Sequence, residues 1–321
     1  MTDIAKQIVN IDADADFYYG EIPKVDFMSI FECVSAGADA ESSIAEWCAR
    51  SGNEYFRQYA LDARRSLGLR LLGTLAGKRL LDYGCGIGSL SVPAARHGAS
   101  VTLVDSCLPR LQMAVARIKQ SGSNVTAYAC QNWRSLPGDV AGFDIILVNG
   151  VLEWVASSVG TGFASVLETQ LDFLRNKRER LAPGGIIYLA IENRFALQYL
   201  MGYPEDHTNI AYISLMPREK ANELHRKEKG SDFTHWTWGL DEFDENLPRA
   251  GLAVRKGYAV FPDYRFPQMI ADLDDTGALR RGLEMENYEQ SPLRTLLTDY
   301  FTVTTRLKHV VYSYIFLLEA V

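Results

Sequence analysis

Between residues 79 and 191 the sequence alternates short apolar runs with stretches of helical period, and few folds accommodate that alternation. The apolar runs fall at 79–83, 100–104, 125–129, 143–148 and 186–191. Helical patterns lie between them at 90–95, 108–118 and 163–181, the last ended by Pro183-Gly184-Gly185. Strands that alternate with helices form a parallel sheet with helices on both faces. Runs that are apolar throughout, rather than at every second residue, suit strands covered on both sides. Residues 252–255 and 310–318 add two further strands. The expected fold is therefore α/β, a Rossmann-like, seven-stranded, mostly parallel sheet. Residues 1–75 read as an N-terminal helical extension or cap, with helices in 40–75 broken near Ser51-Gly52-Asn53. Residues 76–321 form the main domain, with insertions at about 195–240 and 262–305, after strands five and six.

The first strand runs into Asp82-Tyr83-Gly84-Cys85-Gly86-Ile87-Gly88. Glycines there let the backbone turn sharply and let a ligand approach closely. At the carboxyl end of a central strand such a turn lines the crevice where nucleotide-like ligands bind. Position 89 is Ser, whereas a dinucleotide fingerprint places its third glycine one residue later to face a pyrophosphate. The Asp82 carboxylate would repel a pyrophosphate and suits the ammonium group of a methionine moiety. Asp105 closes the second strand, where a carboxylate can accept the hydroxyls of a ribose. These features favour a sulfonium nucleoside over NAD. A dehydrogenase and a plain tight turn stay open as alternatives.

With these residues in place, the stretch from Leu80 to Ile191 resembles the core of a class I S-adenosylmethionine-dependent methyltransferase. The resemblance implies S-adenosyl-L-methionine as cofactor and S-adenosyl-L-homocysteine as product. It implies Asp82, Gly84, Cys85 and Gly86 at the methionine part, Asp105 with Ser106 at the ribose, and Gln131, Asn132 and Trp133 at the adenine. Asn149, Gly150 and Val151, after the fourth strand, would line the donor and acceptor pockets. Four further segments, Val151-Leu152-Glu153-Trp154, Ile191-Glu192-Asn193-Arg194, Pro204-Glu205-Asp206-His207-Thr208 and Phe261-Pro262-Asp263-Tyr264, are similar to a methyltransferase subgroup associated with bacterial glycosyltransferase and surface-polysaccharide genes. That subgroup implies O-methylation of a sugar or glycan intermediate. The alternative is a small natural-product, carboxylate or quinone-like acceptor. A non-catalytic S-adenosylmethionine-binding module is the reading from another class, and the intact Asp82, Gly84, Gly86 and Asp105 argue against it.

Methyl transfer from a sulfonium is an in-line displacement that needs near-attack positioning and exclusion of water. A hydroxyl acceptor also calls for a base. His207, past the fifth strand and flanked by acidic residues, is the first candidate, followed by Glu153 and Glu192. The plainer reading of each is a structural or loop-orienting role. Trp154, Tyr199, Tyr203, Trp236, Trp238 and Tyr264 could wall a sugar or an aromatic ring, or simply pack a core.

A formal charge of −7 gives no overall field to attract nucleic acid, and the basic stretch 175–180 reads as a solvated helix end. The five cysteines are widely spaced, which suggests neither a disulfide framework nor a zinc site. Asp12, Asp14 and Asp16 lack the glycine and glutamate of a calcium loop and read as a solvated acidic segment. No metal site is expected. No run approaches the roughly 18 apolar residues of a membrane span, and a reducing, cytoplasmic setting is expected. The insertions would cap the site or form a homodimer contact.

Overall fold

The computed structural model describes residues 4–285 and 291–321. The first three residues of the N-terminal extension and residues 286–290 of the second insertion lie outside the described residues. Contact between Cα atoms divides the chain into two compact units. One comprises Met1–Val148 with Arg180–Gly185, the other Asn149–Glu179 with Ile186–Val321.

The first unit carries β1 (Ile8–Asn10), β2 (Arg79–Tyr83), β3 (Ser100–Asp105), β4 (Val125–Ala129) and β5 (Phe143–Asn149, in this unit to Val148), in the order β1-β4-β3-β2-β5. The pairs β1–β4, β4–β3, β3–β2 and β2–β5 are all parallel. Three helices precede β2: α1 (Lys24–Ser35), α2 (Ala40–Ser51) and α3 (Glu54–Leu61). Their boundaries follow local chemistry. The Asp39 carboxylate accepts from the Ser42 N–H at the start of α2, and Gly52 closes that helix in the left-handed region at φ 69°. The Asn53 side chain then caps α3 through the Phe56 N–H. After β2 come α4 (Ser91–Arg96) and α5 (Leu108–Gln120). Phe27, Ile30, Val34, Ile44, Cys48, Phe56 and Ala60 pack with Ile87, Met113 and Ala116 in one apolar cluster. The N-terminal helices thus share a core with the glycine-rich turn and with α5.

The second unit holds the short α6 (Val155–Ser158), α7 (Val166–Glu179) and α8 (Leu197–Leu200), then α9 (Arg218–Lys229), α10 (Leu240–Asn246), α11 (Thr276–Met285) and α12 (Pro292–Val303). Its strands are β6 (Leu181–Glu192, in this unit from Ile186), β7 (Leu252–Phe261), β8 (Met269–Asp272) and β9 (Ser313–Ala320), in the order β6-β9-β7-β8 with antiparallel pairing.

The α/β, Rossmann-like class expected from the sequence holds, but the described residues contain nine strands rather than seven. The two additions, β1 and β8, have three and four residues and lie at ends of the strand order. Strands so short carry almost no periodic signal. The basic stretch at the end of α7 corrects another expectation. Lys177 and Arg180 are buried, not solvated. The Arg180 guanidinium donates to the carbonyls of Leu136, Pro137 and Val140 at 2.7–2.8 Å. Arg180→Met would leave those oxygens without their charged donor. It should lower the unfolding free energy by about 3 kcal/mol, read as a shifted urea midpoint at unchanged slope; a shift under about 0.5 kcal/mol would show that water replaces the guanidinium freely.

Candidate functional site

Two clusters collect the residues singled out from the sequence, one in each unit. In the first unit β2 ends in the turn at 82–88, where Gly84, Gly86 and Gly88 have φ values of 74°, 55° and 82°. These are left-handed conformations open to glycine at little cost. The turn is tied to the neighbouring strand, since the N–H groups of Gly84 and Cys85 both donate to the Val104 carbonyl. Asp105 secures it from the end of β3. One carboxylate oxygen accepts from the Gly86 N–H at 2.7 Å and the other from the Cys107 N–H at 2.8 Å. The residue expected at a ribose therefore also fixes the shape of the glycine turn, and each of its oxygens keeps a second acceptor position.

Asp82 is 3% exposed and accepts from the Ser91 hydroxyl. Burial first, and then the neighbouring Asp105 charge, push its carboxyl up to about 7, against the opposing Ser91 bond and Arg65 charge. Gly86 lies beneath side chains of the N-terminal helices and α5. A Cβ there would come within 2.7 Å of Arg110 Nη2 and 3.2 Å of the Tyr59 hydroxyl. The Arg110 guanidinium in turn bonds to Tyr59 and Glu21, and Arg65 lies over the Tyr59 ring at 4.2 Å. Two turns along α5, Arg117 donates to the carbonyls of Ile87 and Ala60. Tyr59, Arg65 and Arg110 were not singled out from the sequence. One signal was present: Arg110 and Arg117, seven residues apart, fall on the same face of α5.

At the end of β4, Trp133 is buried with Arg134 over its ring at 4.1 Å. The backbone N–H groups of Gln131 and Asn132 donate to the Asp12 carboxylate, and the Asn132 side chain accepts from the Arg134 N–H. Asp12, expected to be merely solvated, is exposed yet has this structural task. Asn149, Gly150 and Val151 fall in the second unit. There the Gly150 N–H bonds to the Ala190 carbonyl, and its Cα faces the Tyr264 hydroxyl.

The second unit gathers the three residues expected to act on an acceptor. Glu153 follows β5 in a short helical turn, Glu192 ends β6, and His207 lies in the loop after α8. One ligand-type atom from each lies within 4.8 Å of the other two. Both carboxylates are buried, at 1% and 2% exposure, and the His207 side chain is 7% exposed. Glu205 positions the imidazole. Its Oε1 is 2.7 Å from Nδ1, and its Oε2 accepts from the backbone N–H groups of His207 and Thr208. Glu192 Oε1 accepts from the Tyr264 hydroxyl at 3.0 Å. Glu192 Oε2 and Glu153 Oε2 are buried without a hydrogen-bond partner.

Burial, then the Glu192 charge, raises the Glu153 carboxyl to about 8. For His207 burial opposes protonation, but the Glu205 hydrogen bond and the charges of Glu192, Glu205 and Glu153 outweigh it and lift the ring to about 10. The surrounding carboxylates thus favour the protonated ring, and neutralising their charge would ease loss of its proton. The Trp154 ring packs edge-on to His207 at 5.2 Å and to His235 at 4.5 Å. Burial lowers His235 to about 4, so it is neutral. Of the proposed aromatic wall, Trp154 and Tyr264 adjoin this cluster. Trp236 and Trp238 are core residues whose indole N–H groups are satisfied by the Phe233 carbonyl and Gln170, and Tyr199 is buried against Tyr312.

A parallel α/β sheet with a glycine turn and a carboxylate at adjacent strand ends defines a protein of the nucleotide-ligand class. A family model described as a methyltransferase domain matches residues 54–247. The chain belongs to that family, and S-adenosylmethionine is its methyl donor. Among curated proteins it is similar to the ubiquinone biosynthesis O-methyltransferase of Methylocella silvestris, 31% identical over 47% of this chain and 57% of that one. The protein of the same name from a Caulobacter species is 36% identical over 37% and 42%. The chain spans about half the length of the curated relatives it matches. Among solved structures, the CcbJ methyltransferase of Streptomyces caelestis aligns with a TM-score of 0.48 at 15% identity over 80% of this chain and 95% of that one. A methyltransferase of Geobacter sulfurreducens in complex with S-adenosyl-L-homocysteine aligns with a TM-score of 0.43 at 16% identity over 94% and 99%. Among the described residues no helix is long and apolar enough to cross a membrane.

Proposed function

We propose that this chain transfers a methyl group from S-adenosylmethionine to a hydroxyl of a small aromatic, quinol-like acceptor. The observation that carries the reading is the buried cluster of Glu153, Glu192 and Glu205-held His207, walled by Trp154. Such a cluster is suited to ionising a hydroxyl in a water-poor setting beside a flat ring. The names of the relatives point the same way, since those described above are ubiquinone biosynthesis O-methyltransferases. The sugar or glycan acceptor expected from the sequence has no such support. In the step itself the acceptor oxygen forms a bond to the methyl carbon and the S–CH3 bond breaks, the hydroxyl proton passes to a carboxylate of the Glu153–Glu192 pair, and S-adenosylhomocysteine leaves as a neutral thioether. Incubation with the donor should convert aromatic vicinal diols to monomethyl ethers with stoichiometric S-adenosylhomocysteine, followed by mass spectrometry. Methylation of nucleotide sugars and of no aromatic hydroxyl would overturn the assignment.

In the donor half, Asp82 is assigned to the methionine ammonium, Asp105 to the ribose, and Gln131, Asn132 and Trp133 to the adenine. The raised Asp82 carboxyl makes the first assignment testable by pH. Below about 7 the carboxyl is protonated in the free protein, and a bound ammonium favours its ionised form. Donor binding should therefore release a proton at pH 6 and tighten as the pH rises to 8. The proton release is read by calorimetry in two buffers of different ionisation enthalpy. Asp82→Asn should abolish it, and equal release in wild type and variant would remove Asp82 from this role. Folding follows the opposite sign. Because the native pKa lies above that of an unfolded Asp, this group lowers stability as pH rises from about 4 to 7.

A further inference from the structure

From Glu153, Glu192 and His207 we infer a binding site for one divalent metal ion of the Mn2+/Mg2+ class. The cysteine spacing and the acidic run at 12–16 gave no hint of it, because its ligands come from three separate segments. The first argument is geometric. Three donor atoms within 4.8 Å of one another need only a small adjustment to share an ion at metal–ligand distances of about 2.0–2.3 Å. The second is that the orphan atoms belong to this cluster. Glu153 Oε2 and Glu192 Oε2 are buried and without partners. A buried carboxylate oxygen left in that state is costly unless something positive meets it. Arg265 contributes to the field at both glutamates, but no hydrogen bond from its guanidinium reaches those two oxygens.

The third argument lies in the surroundings of each ligand. Histidines that bind metals almost always give their other ring nitrogen to a carboxylate or carbonyl, which fixes the tautomer and the ring plane. Glu205 does this at Nδ1, at 2.7 Å, and is itself held by two backbone N–H groups. That leaves Nε2 as the ring nitrogen for an ion. Glu192 repeats the pattern, with the Tyr264 hydroxyl on Oε1 and nothing on Oε2. Tyr264 is anchored in turn through its N–H to the Ser313 hydroxyl. A merely structural ion-pair cluster would satisfy both oxygens of each carboxylate internally. Here Glu192 has one oxygen fixed by Tyr264 and the other open, and Glu153 Oε2 is open as well.

Two carboxylates and one imidazole suit a hard to borderline cation. An octahedral ion would keep about three positions for water or for oxygens of the acceptor, and adjacent hydroxyls on one ring could take two of them. The cation site rests on the cluster geometry alone. Only the orientation of an aromatic diol on it rests on the acceptor proposed above.

The experiment titrates the full chain, stripped with chelator, with Mn2+, and reads free ion by electron paramagnetic resonance. One ion per chain is expected, displaced by Mg2+. Glu153→Gln, Glu192→Gln and His207→Gln should each weaken Mn2+ binding at least 10-fold, and Glu205→Gln, acting through His207, by about 10-fold. Retained S-adenosylhomocysteine binding identifies the variants that remain folded. Absence of stoichiometric Mn2+ binding, or binding unchanged in the folded variants, overturns the site. Methylation of an aromatic diol by stripped protein that binds no Mn2+ also overturns it, while leaving the acceptor reading intact. Stoichiometric Mn2+ binding lost in the variants, with no aromatic hydroxyl methylated, supports the cation site and sinks the acceptor reading instead.

Discussion

Asp105→Ala should weaken S-adenosylhomocysteine binding by at least 100-fold in calorimetry. Two effects combine. The carboxylate now fixes the turn through charge-assisted bonds to the Gly86 and Cys107 N–H groups at 2.7 and 2.8 Å. Bonds of this kind contribute about 1.5–3 kcal/mol each. Losing both releases a glycine turn whose φ values near 55–82° have no side chains of their own to hold them. The same carboxylate is also the group assigned to the ribose hydroxyls. One effect runs the other way, because removing the Asp105 charge eases the ionisation of Asp82. That relief is a minor contribution beside burial, which is the first cause of the Asp82 shift. Asp105→Asn separates the contributions. It keeps one acceptor oxygen for the turn and loses the charge, so an affinity between wild type and alanine is expected. If alanine binds the nucleoside as tightly as wild type, Asp105 has neither task.

How much of this was legible in the sequence depended on how local the cause was. The strands β2 to β5 and the turn at 82–88 announce themselves, because a five- to seven-residue apolar run and a glycine cluster are adjacent in the chain. Glu153, Glu192 and His207 stood out as polar residues in the segments that follow the fourth and fifth expected strands. Their meeting in one unit was not written in any local pattern. What could not be read were contacts made across long separations. Asp12 caps backbone groups at 131 and 132, more than a hundred residues away. Tyr59 and Arg110 close over Gly86 from two different helices. Lys177 and Arg180 look like solvent-facing charges at a helix end, yet Arg180 is buried because three carbonyls of the 136–140 loop converge on it. A buried cation is decided by what surrounds it, and the surroundings are set only once the chain has folded. Trp236 and Trp238 illustrate the reverse. Their indoles were candidates for a ligand wall, but internal partners satisfy both N–H groups and leave them to the core.

His207→Ala should reduce turnover by about 1,000-fold, within the range spanned by loss of general acid–base or metal-assisted ionisation of a nucleophile, while donor affinity changes less than twofold. The split follows from where the parts lie. The residues assigned to the methionine, ribose and adenine belong to the first unit, whereas His207, Glu153 and Glu192 belong to the second. Removing the imidazole does not touch the hydrogen bonds that fix the glycine turn. It does remove the one nitrogen of the acid cluster, and it strands Glu205, whose Oε1 would lose its partner in a buried setting. Part of any loss could therefore come from a distorted loop rather than from lost chemistry. Glu205→Gln tests that. A neutral amide can still accept from the His207 and Thr208 N–H groups through its oxygen, so the loop keeps its anchor, but the imidazole loses its carboxylate. A fall of about 10- to 100-fold in kcat, with the acceptor KM little changed, is the expected mark of a positioning residue acting through His207. Equal losses in His207→Ala and Glu205→Gln, accompanied by a lowered melting temperature in both, would assign the pair to loop stability. A fully active His207→Ala would remove this histidine from the reaction altogether.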